Sequence, residues 1–218
     1  MKGLLVKDIK LMMVQKNFMF LILMIVIGML VFGDDIIFPL GFLCFVASLF
    51  TISTISYGDY DNGNAFLFTL PITRKSYVIE KYLLGIIFSC IIWLVAVILG
   101  VITTLIKDEL PVIDLVQNSF MIIPITMVIQ AIMLPFQLKF GGDKGRIAMI
   151  GVFGALAVIG LVVAKGAEII FDVSLASLMG NFPTINMSTF VTIFAIIALM
   201  MLFLSFRISL SVMNKKEF

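Results

Sequence analysis

Residues 82–106 read YLLGIIFSCIIWLVAVILGVITTLI, an unbroken stretch without Asp, Glu, Lys or Arg. A helix needs about 20 predominantly apolar residues to cross roughly 30 Å of hydrocarbon, so this stretch spans a bilayer unaided. The rest of the chain repeats the pattern. Of its 218 residues 62% are hydrophobic and only 13% charged, and the mean hydropathy is +1.22, far more apolar than a water-soluble domain can cover. The first apolar run has no small-residue cleavage site, which predicts a mature chain rather than a leader peptide. Cys44 and Cys90 lie inside apolar stretches with no polar ligands beside them and read as packing residues.

Working outward from 82–106, the pattern predicts an all-α integral membrane protein of six spans: Asn17–Phe32, Ile36–Tyr57, Tyr82–Ile106, Phe120–Gln137, Ile147–Ala164 and Ser188–Phe206. Six spans put both termini on one side. With that side as the cytosol, Lys107 and Lys165 are the only basic residues left outside. Cytosolic Lys and Arg excess fixes orientation during insertion. Asp34, Asp35, Asp108, Glu109, Asp114, Glu168 and Asp172 fall outside, so the charge asymmetry agrees. Within the spans ionisable groups are almost absent, Arg207 lying at a helix end where it can snorkel. Ion-coupled carriers need such groups at membrane depth, so the energy for any uphill transport is expected to come from outside the chain.

The fourth span carries Pro124, Gln130 and Pro135 in an otherwise aliphatic helix. They read either as a bend that fits neighbouring helices or as part of a pathway-lining, gating element. Gly151 and Ala155, with Gly154 and Gly160, notch the fifth span for close helix approach, within one subunit or between two.

Residues 1–16 pattern as an interfacial helix, with Leu5, Ile9, Met12 and Met13 on one side and Lys7, Asp8 and Lys10 largely opposite. The loop 58–81 opens with turn formers from Asp59 to Asn64, then a short apolar helix containing Ala65-Phe66-Leu67-Phe68 that Leu70-Pro71 ends. Thr73 is placed to cap a helix running through Tyr77 and Lys81 into the third span. Phe66 and Phe68 are expected at the cytosolic surface, either covered by a partner or dipping into headgroups. The second cytosolic loop, 139–146, is rich in Gly and Lys but lacks the GxxxxGK[ST] spacing of a phosphate-binding loop, Gly145 being followed by Arg146.

Three segments together resemble the small six-helix permeases of the ABC-2 type, such as the membrane subunits of phenol-soluble modulin exporters. They are Met1-Lys2-Gly3-Leu4-Leu5-Val6-Lys7-Asp8, then Leu70-Pro71-Ile72-Thr73-Arg74 with Val78 and Lys81-Tyr82, and Phe140-Gly141-Gly142-Asp143-Lys144-Gly145-Arg146. The resemblance implies one transmembrane domain with an elbow helix (1–16), a coupling loop (58–81) and an extracellular loop (165–187). It also implies two permease copies, each bound to a separate cytosolic ATPase that holds ATP and magnesium, in a bacterial plasma membrane. By position, Asp61 to Leu70 would be the coupling helix. Asp61, Phe66, Phe68, Leu70 and Arg74 would meet the ATPase, and Lys144 and Arg146 would stand in the second cytosolic loop. Residues 166–179 could form a short extracellular helix, with Glu168 and Asp172 on one face. The implied activity is export of hydrophobic or amphipathic peptides, or of lipid-like or antimicrobial compounds, by alternating access; no nucleic acid is implied.

Two other function classes make different demands on the residues. The absence of histidine removes His-based catalysis and His-ligated zinc. Asp61 and Asp143 lie in charged loops, and Phe140 stands where a GxGD protease motif needs glycine, so no catalytic residue or cofactor is expected. A membrane immunity or sensor protein that binds a toxic peptide without moving it would have the same spans but no need of the Phe66 loop.

Overall fold

The computed structural model describes residues 2–59, 63–107, 111–142 and 187–216, with isolated helical positions between 145 and 165. Every regular element among the described residues is helical. α1 (Lys2–Val14) turns through 63° into α2 (Lys16–Phe32), followed by α3 (Ile37–Asp59), the five-residue α4 (Gly63–Leu67), α5 (Arg74–Lys107), α6 (Val112–Ser119), α7 (Ile122–Phe140) and α8 (Met187–Lys215). Four helical runs are long and apolar enough to cross a membrane, and the bent α1–α2 pair makes a fifth if taken as one span. All but a few isolated positions of the expected span 147–164 and of the loop 165–187, together with Asp61, Asp143, Lys144 and Arg146, lie outside the described residues.

The helix that carries the third span starts at Arg74, as the Thr73 cap predicts: Thr73 Oγ1 accepts the Ser76 N–H at 3.1 Å and opens a single helix of 34 residues. At about 1.5 Å per residue α5 is ~51 Å long, so it projects well beyond the hydrocarbon. The fourth span is preceded by α6, whose Leu115 is fully buried where a loop was expected.

α3 is the central element, packing on α1, α2, α5, α6 and α7, while α8 lies along α7. Two apolar clusters follow. One joins α2, α3, α5 and α6 through Val26, Leu40, Phe50, Ala96 and Leu115. There Gly100 lets α5 approach: a Cβ on it would meet Leu40 Cδ1 at 2.8 Å and Leu115 Cδ2 at 3.2 Å. The other cluster joins α1, α3, α4, α5, α7 and α8 through Leu4, Ile55, Leu67, Val78, Leu134 and Met213. Leu4 and Met213 both belong to it, and Arg74 at the start of α5 bonds the end of α8, so the starts of α1 and α5 and the end of α8 pack into one cluster. Lys107 marks the opposite end of α5, its ammonium donating to the Gly33 carbonyl that follows α2 at 2.5 Å.

Candidate functional site

At the end shared by α1, α4 and the start of α5, the chain builds a cleft of about 590 Å³ lined by Leu4 and Lys7 of α1 and Phe66, Leu67 and Leu70 around α4. α4 is held from below: Asn64 is buried and donates through Nδ2 to Asp59 Oδ1 at 2.8 Å, tying it to the end of α3. Thr69 Oγ1 donates to the Phe66 carbonyl at 2.7 Å and closes the turn that ends the helix.

The two phenylalanines part company. Phe66 is 70% exposed, with Leu70 at 43% beside it. Phe68 is half-buried, its ring edge-on to Tyr77 with centroids 5.7 Å apart. The expected exposed pair Phe66–Phe68 is therefore corrected to Phe66–Leu70, because α4 ends at Leu67 and the chain turns Phe68 inward. Arg74 is half-buried and donates to the carbonyls of Asn214 at 2.6 Å and Met213 at 3.2 Å. It thereby satisfies acceptors that the C-terminus of α8 leaves open.

Beneath α4 lies a charged cluster that the sequence reading missed. Asp8, Glu80 and Lys81 are all buried. The Lys81 ammonium donates to Asp8 Oδ2 and, at 3.0 Å, to Thr54 Oγ1 of α3. It stands 3.9 Å from Glu80 Oε2 and 5.2 Å above the Tyr77 ring. Lys7 approaches Asp8 Oδ1 at 3.3 Å from the rim. Glu80 is held apart from any strong donor among the described residues, and its burial pushes its carboxyl up to about 7. The polar face assigned to α1 is thus partly wrong: Asp8 points into the core in line with Leu4. Spacing carried a signal, since Leu4 and Asp8 share a helix face at i, i+4. A buried pair is net favourable only with close geometry and further hydrogen bonds, and this one ties α1, α3 and α5 into one unit under α4.

The α7 residues are each engaged in helix contacts. Pro124 is buried in the first turn, where its missing N–H leaves no bond unmade. Gln130 is buried and donates through Nε2 to the Gly85 carbonyl at 3.0 Å and to Ser89 Oγ at 2.7 Å. Pro135 removes the donor that the Ala131 carbonyl would meet in a regular helix, and Ser205 of α8 supplies it at 2.5 Å. Tyr82 of α5 joins the same line, its hydroxyl 2.5 Å from Ser205 Oγ and 2.8 Å from Ser209 Oγ.

No group of three or more potential metal ligands occurs among the described residues. Residues 3–214, almost the whole chain, match a family model described as ABC-2 family transporter protein. No curated protein and no solved structure matches the chain.

Proposed function

The chain belongs to the ABC-2 family of transporter proteins, membrane components that typically carry no catalysis themselves, and on that footing we propose that it is the permease subunit of an ATP-driven exporter. Six spans with both termini in the cytosol of a bacterial cell, two permease copies and two separate ATPase subunits form the working unit. α4 is its coupling helix.

The observation that carries this reading is Phe66. An aromatic ring 70% exposed on a five-residue helix, beside an apolar cleft at one end of a membrane bundle, suits a partner that covers it. α4 does not stand alone. Asn64 fixes it to α3, and the Asp8–Lys81 pair fixes α3 to α1 and α5, so a push on α4 moves three helices rather than a loop. α7 is the element that shifts against them, with Pro124, Gln130 and Pro135 setting its contacts to α5 and α8. The ATPase holds ATP and magnesium; this chain transmits its closure and alternates access.

The cargo is a hydrophobic or amphipathic peptide, or a lipid-like compound. Charged side chains cluster at the helix ends, and the apolar faces of α5 and α8 suit an amphiphile better than a small ion. Reconstituted transporter whose ATP hydrolysis responds to amphipathic peptides and not to small hydrophilic solutes supports this reading; the reverse response overturns it. The second reading, a membrane immunity protein that binds a toxic peptide without moving it, gives no role to Phe66. It gains if Phe66→Ala leaves every interaction of the chain intact.

A further inference from the structure

Where α1 bends into α2, both helices line, with α3 and α5, an open groove of about 480 Å³, within the range of roughly 300–1,000 Å³ typical of small-molecule sites. Ile9, Met12 and Met13 of α1, Phe50 of α3, and Leu84 and Phe88 of α5 form its walls. The groove opens along Ile87 and Ile91, both about half exposed on the apolar face of α5. One polar side chain lines it, that of Lys16, an exposed cation with no carboxylate partner among the described residues.

We propose that this groove binds one anionic phospholipid of the surrounding leaflet, an acyl chain lying along α5 and the phosphate resting on the Lys16 ammonium. The chemistry of the walls sets the occupant: a long apolar body joined to a single negative head. The three methionines at the bend, Met12, Met13 and Met19, adapt to a flexible chain better than branched residues would. With α1 lying in the interface and α2 crossing, as the proposed function has them, Lys16 at their junction stands at the level of the headgroup phosphates. No acidic residue lines the groove to repel an anion. This site is separate from the α4 cleft, so it stands whether or not α4 meets an ATPase.

The test is native mass spectrometry of the purified full-length chain, equilibrated in mild detergent with phosphatidylglycerol or phosphatidylcholine of equal chain length. One cation near a lipid surface gives about a fivefold preference for the anionic lipid. Lys16→Gln is expected to abolish that preference, while Lys10→Gln, on the neighbouring α1 but outside the groove, retains it. Met13→Trp and Ile87→Trp fill the groove from exposed positions, so the core is undisturbed, and each should reduce retention of both lipids. Monodisperse elution on size exclusion confirms that each variant is folded. Equal retention of the two lipids by the unaltered chain overturns the proposal. So does a preference that survives Lys16→Gln, or a groove whose Trp variants disrupt a dimer or a bound peptide while leaving lipid retention unchanged.

Discussion

Replacing Lys81 by Met removes the ammonium that stands between two buried carboxylates. Asp8 keeps only Lys7, at 3.3 Å and one-third exposed, and Glu80, whose carboxyl burial already pushes up to about 7, loses the cation 3.9 Å away. Breaking a buried pair from one side costs about 3–5 kcal/mol because the remaining charge stays uncompensated. For a chain of this size that is roughly a 6–20 °C fall in unfolding midpoint. Asp8→Asn should cost less, since Lys81 retains Thr54 and Glu80. The triple change Asp8→Asn, Glu80→Gln, Lys81→Met leaves no buried charge, only the rim cation Lys7, which can turn to solvent, and should recover to within about 1–2 kcal/mol of the starting protein. The assay is thermal unfolding in mild detergent at neutral pH and one fixed scan rate, read from the fluorescence of Trp93, the sole tryptophan. An unchanged midpoint for Lys81→Met, or a triple variant as unstable as the single, would refute the ion pair as a structural link between α1 and α5.

Three further outcomes follow from the packing. Ser205→Ala leaves the Ala131 carbonyl without a donor and should cost about 1–3 kcal/mol; adding Pro135→Ala restores an in-helix N–H and should recover part of it in the same melt. Phe68→Ala should lower the midpoint by removing the ring from Tyr77, whereas Phe66→Ala should leave it unchanged. Gly141→Ala should destabilise by about 1–3 kcal/mol, because φ is 66° and ψ 179°, a region essentially confined to glycine. A Cβ there would also lie within 1.9 Å of Asp59 Oδ2. An unshifted midpoint for Gly141→Ala would show that the turn after α7 relaxes freely.

Hydrophobic length made most of the spanning helices legible, because a run such as residues 82–106 has one stable place in a cell. The Thr73 cap and the turn after Leu70 were legible too, since capping and proline act within a few residues. What escaped was side-chain pairing across the fold. Asp8 and Lys81 are 73 residues apart, and a charge read by local periodicity is assigned to solvent unless its partner is known. The same limit applies to Phe68: a short surface helix ended by Leu70-Pro71 suggests two exposed rings, but where α4 stops decides which ring turns inward. Pro135 was legible as an interruption; that Ser205 supplies the missing donor depends on how α8 lies along α7.

The most direct measurement is purification of the tagged full-length chain from native membranes in mild detergent, followed by assay for a stoichiometric soluble ATPase and magnesium-dependent ATP hydrolysis, with Phe66→Ala alongside. A coupling helix anchored by Phe66 predicts co-purifying hydrolysis that falls with the variant, by on the order of 30-fold in partner affinity if the ring is a hot spot of about 2 kcal/mol, while the unfolding midpoint holds. Hydrolysis and partner retained unchanged by Phe66→Ala, or a lone chain in detergent that preserves comparable complexes, would contradict it.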